Sequence, residues 1–463
     1  MTQQSSMQKP LGDATSQASL WIKHPLAIYT ANDQDARNGI VIQGGQIVEL
    51  VAQGQQPTHP IDQVFDAQNL VLLPGLINTH HHFYQTLTRA CPPALNKRLF
   101  PWLQTLYPMW AGLNQDMLRV ATELAMVELL LSGCTTVSDH HYLFPSQLHN
   151  AIDIQVEVAQ SLGMSATFTR GSMSLGVDDG GLPPQSVVQT EDEIMADSER
   201  LASRYHQAGG DIQIALAPCS PFSVTPELMK ASAALAQQRD LLLHTHLAET
   251  EDENAFCLRS LGKRPLDYLE SVGWLQSRTW LAHGIHFTPD EIQRLGHAQV
   301  GICHCPSSNM VLASGICAVN ELKAAGANVG LGVDGSASND HSNLMQEIRQ
   351  ALLIQRLKYP ADEFTHLDAL HLATKGSANV LQRHHQGEIA VGKQADIALF
   401  ALDEPRFSGS HDPLAALVLC GASQAHSVMV KGQWKVRDKV WLGGDLSALM
   451  AKHSQAAQTL YAP

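Results

Sequence analysis

Residues 73–82 of the 463-residue chain read Leu-Pro-Gly-Leu-Ile-Asn-Thr-His-His-His. An apolar run ends at a Pro-Gly break, and a short apolar segment then leads into His80-x-His82. If this segment is a β-strand, alternate side chains share a face, so His80 and His82 point to one side and His81 to the other. Two imidazoles arranged in this way can bind one metal ion. The alternative is a polar strand end with solvated histidines, and this stretch alone does not separate the two.

The composition is that of a globular protein with a full hydrophobic core and more than one domain, with 44% hydrophobic and 16% charged residues. The 30 Lys and Arg residues are outnumbered by 44 Asp and Glu residues, which gives a net charge of -14. No basic run stands out, so we expect no nucleic acid partner. No apolar run reaches the ~18 residues that a membrane span needs, so we expect no membrane partner either.

The eight cysteines are scattered along the chain without a framework spacing, which is typical of reduced thiols in a cytoplasmic protein. Cys303-His304-Cys305 could form a metal clip, but the alternation also suits a barrel strand, which we prefer. Residues 1–19 are polar and lack a charged segment followed by an apolar one. We therefore expect a disordered leader there, and not a signal peptide.

Both ends of the chain carry segments with the pattern of β-strands. Residues 20–29 and 39–51 alternate, and Gly44-Gly45 splits the second segment into a hairpin. Residues 427–440 form a second predicted hairpin around Lys431-Gly432. We predict one small β-sandwich domain built from both chain ends, covering residues 20–74 and 386–463.

The middle of the chain repeats a strand followed by a helix eight times. The predicted strands begin at Leu76 and cover residues 76–82, 135–139, 166–170, 212–218, 241–249, 279–286, 299–306 and 328–334. Eight such units are typical of a (β/α)8 TIM-like barrel. A doubly wound open sheet would more naturally begin with a Gly-rich phosphate turn, which this chain lacks. We predict a catalytic (β/α)8 barrel over residues 75–385.

The predicted strand ends carry residues that bind metals, and active sites of such barrels lie at these ends. Strand one ends in His80 and His82, strand five in the His-Thr-His-Leu-Ala-Glu of residues 244–249, strand six carries His283 and strand eight ends in Asp334. Nitrogen and oxygen donors of these types suit Zn²⁺ or Fe²⁺. Each residue alone could be a hydrogen-bonded core or turn residue, but the set on the right strand ends of one barrel favours a metal site.

The chain resembles the amidohydrolase superfamily, and within it the branch of cytosine deaminases, guanine deaminases and chlorohydrolases. The resemblance spans about residues 20–440. The motifs that carry it are PGLINTHHH (74–82), HLAE (246–249), AHG (282–284), HCPSSN (304–309), GVDGSASND (332–340) and GEIAVGKQADIALF (387–400).

The resemblance implies a role for each residue at the strand ends. One divalent ion, either Zn²⁺ or Fe²⁺, would be bound by His80, His82, His246 and Asp334. Glu249 would be the proton shuttle, His283 would orient the attacking water, and Asp334 would also take that water's proton. Members of the superfamily with two metals carry a bridging lysine after strand four, and residues 211–224 contain none, so we expect a single ion.

The resemblance also bears on the substrate. Cys219 stands where adenosine-type deaminases usually carry a histidine, which argues against adenosine. The segments 80–90, 99–110, 169–184 and 216–224 resemble the deaminases of the oxidised purine base 8-oxoguanine.

Four residues are predicted to contact such a flat base: Gln85, Trp102, Arg170 and Cys219. Gln85 can donate and accept hydrogen bonds, Arg170 can donate, and Trp102 can stack. Each also has a structural interpretation, for example Trp102 in the core or Arg170 paired with Asp178 or Asp179.

Other functions share the same metal residues. A guanine, isocytosine or s-triazine aminohydrolase of the hydroxyatrazine type would differ only in the cavity. A scaffold protein without enzymatic activity is the remaining alternative, and the intact set of predicted ligands argues against it. We expect a cytoplasmic homo-oligomer whose partner is a small-molecule substrate.

Overall fold

The computed structural model describes residues 18–461, and it begins with short β-strands. These are β1 (Leu20–Lys23), β2 (Ala27–Ile28), β3 (Gly39–Gln43), β4 (Gln46–Leu50), β5 (Gln63–Asp66) and β6 (Leu70–Pro74). Four of them form a sheet in the order β4-β3-β1-β5. The β3–β4 hairpin is confirmed, and Gly44 and Gly45 turn it with φ angles of 58° and 78°. Positive φ at both central residues is what a tight hairpin turn requires.

An eight-stranded parallel sheet follows. Its strands are β7 (Leu76–Asn78), β8 (Cys134–His141), β9 (Ser165–Ser172), β10 (Ile212–Pro218), β11 (Leu242–Leu247), β12 (Thr279–His283), β13 (Gly301–His304) and β14 (Asn328–Leu331). The last strand returns to the first, because the Thr79 N–H donates to the Leu331 carbonyl and the Asp334 N–H to the His80 carbonyl, each at 3.1 Å. The predicted (β/α)8 barrel is confirmed.

Helices surround this barrel. They are α1 (Leu99–Trp110), α2 (Gln115–Leu131), α3 (Ala151–Leu162), α4 (Glu191–Tyr205), α5 (Pro226–Arg239), α6 (Glu251–Leu261), α7 (Pro265–Ser271), α8 (Pro289–His297), α9 (Pro306–Val311), α10 (Val319–Ala325), α11 (Leu344–Gln355), α12 (His366–His371) and α13 (Ser377–Val380). The local sequence explains where several of these helices begin. Thr288 caps α8 in a capping box with Glu291, and Pro289 follows at the first helical position.

A six-stranded sheet joins the two ends of the chain. Its later strands are β15 (Ile397–Ala401), β16 (Ser427–Val430), β17 (Gln433–Arg437) and β18 (Val440–Trp441), and the order is β18-β17-β16-β15-β6-β2. β15 pairs antiparallel with β6, so the strand that precedes the barrel lies beside the strand that follows it. A small apolar core that includes Ile22, Leu72 and Ile397 packs between the two flanking sheets. This arrangement agrees with a sandwich built from both chain ends.

Two helices near the C-terminus depart from the prediction that residues 386–463 are β-sandwich. They are α14 (Pro413–Leu419) and α15 (Leu446–Tyr461). Leu449 and Leu460 of α15 belong to the large core of the barrel, and His453 Nε2 lies 3.0 Å from Thr86 Oγ1. Apolar residues of α15 therefore pack against the barrel, although the helix lies within residues 386–463.

The predicted leader of residues 1–19 falls mostly outside the described residues. Its last residue, Ser19, is buried, and its N–H donates to Asp62 Oδ2 at 2.8 Å while its hydroxyl donates to the Pro60 carbonyl at 2.6 Å. Ser19 thus packs at the start of β1. Between residues 18 and 461, the structure contains no helix with the length and hydropathy of a membrane span.

Candidate metal centre and substrate cavity

The four predicted ligands converge at the C-terminal end of the barrel. His80 Nε2 and His82 Nε2 each lie 3.3 Å from Asp334 Oδ1, and His246 Nε2 lies 3.2 Å from His82 Nε2. Donors bound at about 2.0–2.1 Å in a tetrahedron are about 3.3–3.4 Å apart. The observed separations therefore fit a single metal ion bound by its donors at such distances.

The loop after β7 carries the first two of these residues. The strand predicted to run through His82 ends at Asn78, so His80 and His82 lie beyond it. Neighbouring strands hold the loop, since the His140 N–H donates to the His81 carbonyl at 2.7 Å. His81 points away, with its Nε2 2.8 Å from Ser342 Oγ. The predicted alternation of the three histidines thus persists after the regular strand has ended.

Backbone carbonyls orient two of the ligand rings. His82 Nδ1 donates to the His140 carbonyl at 2.7 Å, and His246 Nδ1 donates to the Cys219 carbonyl at 2.6 Å. A carbonyl can only accept, so each Nδ1 carries the hydrogen and each Nε2 presents a lone pair to the centre. His80 Nε2 is fully buried and has no hydrogen-bond partner within residues 18–461. This donor set fits a divalent metal ion.

Glu249 and His283 lie beside the centre. His283 Nε2 is 3.5 Å from Glu249 Oε2 and 3.9 Å from Asp334 Oδ2. His283 Nδ1 lies 2.9 Å from Asn309 Oδ1, which orients the ring. The two residues and Asp334 thus face one another across a space next to the four donors.

Left-handed backbone conformations place these side chains. Ala248, His283 and Asp334 have φ angles of 54°, 72° and 63°. Non-glycine residues rarely adopt this region, and where they do the surrounding structure must hold them. The turn at Ala248 is held on one side by Glu253, whose Oε2 accepts the Glu249 N–H at 2.8 Å. On the other side, the Ala248 carbonyl accepts the Ile285 N–H at 2.9 Å.

The protonation states suit metal binding. Burial lowers the pKa of His80 and of His246 well below the usual value, which favours neutral rings. Burial would raise the pKa of Asp334, but the adjacent His80 and His82 rings outweigh it and hold that pKa well below its usual range. Metal ligands must be neutral imidazoles and ionised carboxylates. The centre therefore favours the ligand forms of its residues.

The pKa values of Glu249 and His283 shift upward instead. Burial raises the pKa of the Glu249 carboxyl. Burial would lower the pKa of His283, but the charges of Glu249 and Asp334 more than compensate and raise it. A carboxyl with a raised pKa can take up and release a proton nearer to neutral pH.

A cavity opens onto the centre. It is lined by His82, Gln85, Leu99, Trp102, Leu103, Tyr107, Tyr142, Cys219, Ser220, Phe222, His246, Glu249, Glu253, His283, Leu312, Asp334 and Ser338. One wall comes from α1, which presents aromatic and aliphatic side chains. A mostly apolar cavity with a few polar groups is typical of small-molecule sites.

Three of the four predicted substrate contacts line this cavity. Trp102 Nε1 donates to the Ala337 carbonyl at 3.2 Å, and Gln85 Oε1 accepts the Ala337 N–H at 3.4 Å, so one loop residue positions both side chains. Burial raises the pKa of the Cys219 thiol to about 12, so this group is neutral.

The position of Arg170 departs from the prediction that it contacts the substrate, because its guanidinium is not part of the cavity wall. Its Nε donates to Asp197 Oδ2 at 2.9 Å and its Nη2 to Gln189 Oε1 at 2.8 Å. The group also lies over the Phe144 ring, 3.9 Å from the ring centre. Arg170 thus forms a buried ion pair between β9 and α4, and its partner is not the predicted Asp178 or Asp179.

Several residues of the site were missed from the sequence. His140 stacks on His246 with ring centres 4.9 Å apart, and His244 lies 2.8 Å from His80. Tyr107, Tyr142 and Glu253 line the cavity. A signal existed for His244, which precedes His246 by two residues on a predicted strand. Glu253 could have been noticed as the third residue of α6.

The fold and the converging donors define a metal-dependent hydrolase built on a (β/α)8 barrel. The model of the amidohydrolase family matches residues 71–435. The chain belongs to the amidohydrolase family.

Known proteins similar to the chain over most of its length include deaminases. One is the 8-oxoguanine deaminase of Pseudomonas aeruginosa, which is 63% identical over 96% of this chain and 99% of its own length. Another is an isoxanthopterin deaminase from an unknown prokaryotic organism, 33% identical over 94% of this chain and 95% of its own length.

A solved structure of similar fold is the atrazine chlorohydrolase of Arthrobacter aurescens complexed with zinc. Its TM-score is 0.90 at 31% sequence identity, and the match covers 95% of this chain and all of that one.

Proposed function

We propose that the chain is a hydrolytic deaminase that converts the free base 8-oxoguanine to uric acid and ammonia. The observation that carries the reaction class is that His283 Nε2 lies 3.5 Å from Glu249 Oε2 and 3.9 Å from Asp334 Oδ2, at the end of a cavity and beside three converging imidazoles. The substrate is supported by the 63% identity with an 8-oxoguanine deaminase along nearly the whole chain.

His80, His82, His246 and Asp334 would hold one divalent ion, which we propose to be Zn²⁺, with Fe²⁺ as the alternative. A zinc complex of a structural neighbour and the all-nitrogen-and-oxygen donor set support this choice. Such an ion, when bound, lowers the pKa of water in its coordination sphere towards neutrality.

The remaining residues handle protons and orientation. Asp334 Oδ2 accepts a proton from the attacking water, and His283 Nε2, 3.9 Å from that oxygen, orients the water. Glu249 protonates ring nitrogen N3 as water oxygen bonds to C2. The ionised Glu249 takes up the proton of the new C2 hydroxyl and delivers it to the 2-amino group, so the C2–N bond breaks, a C2 carbonyl forms and ammonia leaves. The proton held by Asp334 then returns to Glu249, which restores both groups. The overall balance is one water consumed and one ammonia released for each base.

The cavity suits a flat base that carries polar atoms at its edge. Trp102, Tyr107 and Phe222 contribute aromatic rings to its wall, and Gln85 and Ser220 contribute hydrogen-bonding groups. Guanine lacks the 8-oxo oxygen and the N7 hydrogen, so the groups that pair with them would be left unsatisfied. An unpaired buried polar group costs about 1–3 kcal/mol, which corresponds to roughly one to two orders of magnitude in rate.

An s-triazine aminohydrolase is the second candidate, because the atrazine chlorohydrolase has the same fold at 31% identity. We further propose a cytoplasmic homo-oligomer, with residues 75–385 as the catalytic barrel and neither nucleic acid nor membrane as a partner. Within the described residues all eight cysteines are free, which agrees with a reducing compartment.

The test is ammonia release by the zinc-loaded protein, with kcat/KM compared for 8-oxoguanine, guanine, isocytosine and a hydroxylated s-triazine. We expect 8-oxoguanine to give the highest value, with guanine lower by one to two orders of magnitude, roughly as the unpaired groups require. Elemental analysis should find one ion per chain. A higher kcat/KM for guanine or the triazine would overturn the substrate, and two ions per chain would overturn the ligand set.

A further inference from the structure

His244 is a fully buried histidine of β11 that belongs neither to the proposed ligand set nor to the cavity wall. Its two ring nitrogens make two contacts. Nδ1 lies 2.9 Å from the Trp280 carbonyl oxygen, and Nε2 lies 2.8 Å from His80 Nδ1. The ring thus stands between a backbone carbonyl and a proposed metal ligand.

The carbonyl fixes where the hydrogens lie along this chain of contacts. A carbonyl oxygen only accepts, so His244 Nδ1 carries a hydrogen, and the buried ring in its neutral form leaves Nε2 as an acceptor. His80 Nδ1 must then donate to His244 Nε2. The lone pair of His80 is consequently on Nε2, the atom that lies 3.3 Å from Asp334 Oδ1.

We propose that His244 is a positioning residue that sets the tautomer and orientation of His80 and thereby the affinity of the centre for its metal. His82 and His246 reach a backbone carbonyl directly. His80, by contrast, is linked to the Trp280 backbone carbonyl through the His244 imidazole. The inference rests on the proposed ligand set, but not on the identity of the substrate.

Packing around Trp280 keeps this arrangement rigid. The His244 ring stacks on the Trp280 indole with ring centres 4.2 Å apart and an angle of 17° between planes. The indole Nε1 donates to the Thr79 carbonyl at 3.1 Å, immediately before His80 in the chain. Trp280 therefore holds His244 and the loop of His80 in one unit.

The test compares two substitutions at this position. His244→Phe keeps an aromatic ring on Trp280 but removes the acceptor for His80 Nδ1. His244→Gln offers a carbonyl oxygen as a replacement acceptor. His141→Phe is the matched control, because His141 is also a fully buried barrel histidine, and its Nε2 donates to the Leu143 carbonyl at 2.6 Å.

Zinc affinity and the zinc dissociation rate are measured on metal-free protein by competition with a chromophoric chelator, and circular dichroism checks the fold. We expect His244→Phe to weaken zinc binding by about 10–100-fold, as the loss of such supporting contacts typically does. His244→Gln should recover most of the affinity, and His141→Phe should bind zinc as the wild type does. If His244→Phe does not fold, His244→Leu replaces it in the comparison with His244→Gln.

Unchanged zinc affinity in His244→Phe would overturn the inference. Equal loss in His244→Phe and His244→Gln would also overturn it, because packing alone would then be responsible. If the wild type bound no zinc, the proposed ligand set itself would fail, which is a different result.

Discussion

Replacement of Glu249 by Gln should abolish most turnover while leaving the metal bound. Glu249 is 4% exposed, and its carboxyl contacts His283 at 3.5 Å and Ser314 at 3.4 Å. Gln has nearly the same shape, and the Glu253 carboxylate that holds this turn binds the backbone N–H at position 249 and not its side chain. The substitution therefore removes the proton carrier and little else.

The expected loss follows from the role of the group. General acid–base catalysis contributes about 10²–10⁴-fold, which is about 3–5 kcal/mol of transition-state stabilisation. We expect kcat for 8-oxoguanine to decrease by a factor within this range. Zinc content should stay the same, because Glu249 is not among the four converging donors.

The assay is steady-state ammonia release together with elemental analysis of the same sample. Glu251→Gln is the matched control, since the Glu251 side chain lies two residues further on and is 76% exposed. The control should retain wild-type kcat. A Glu249→Gln protein with kcat within a few-fold of wild type, or one that has lost its zinc, would refute the role of Glu249 as proton shuttle.

Three further changes have expected outcomes. His283→Asn should lower kcat by about 10²-fold or more with zinc retained; an unchanged kcat with reduced folded yield would make His283 structural. Burial raises the pKa of Glu253 to about 7 from a usual 4.5, so its neutral form favours folding and stability falls as pH rises from 4.5 through 7. In the metal-free protein, the free energy of unfolding of Glu253→Gln should therefore rise by up to about 3 kcal/mol relative to that of the wild type between pH 5 and 8.5. Denaturant unfolding measures this change. A difference between the two proteins that stays constant with pH would contradict it. Arg170→Met should lower the free energy of unfolding because it breaks a buried ion pair. The loss should be about 3 kcal/mol and not larger, because Asp197 keeps its second partner Arg200 at 2.8 Å. KM should not change, and a raised KM would restore Arg170 as a substrate contact.

The sequence predicted the barrel because each strand–helix unit carries its own periodicity and its own end signals. The strand predicted over residues 212–218 matches β10, and Gly163 ends α3 with a φ of 67°. Helix α1 was not predicted, since Pro101 and Pro108 interrupt its pattern. Pro101 lies in the first turn, where its missing N–H has no intrahelical partner to lose.

The convergence of the candidate ligands could be predicted because the barrel brings all strand ends to one rim. Arg170 could not be placed, because every residue of β9 is buried and the pattern does not separate the inner from the outer face. Its partner Asp197 lies on α4, and the sequence alone does not reveal which helix residue faces the strand. The contact between His244 and His80 joins residues 164 positions apart, so it required the folded chain.

We propose that water replaces the 2-amino group of 8-oxoguanine in this cavity. The most direct measurement is turnover of 8-oxoguanine by the zinc-loaded protein in ¹⁸O-labelled water, with mass analysis of the purine product and quantification of ammonia. We expect uric acid that contains one solvent oxygen, formed in equal amount to ammonia and about 10²–10⁴-fold more slowly with Glu249→Gln. Release of ammonia without uric acid, or no turnover by a protein that has bound its metal, would contradict it.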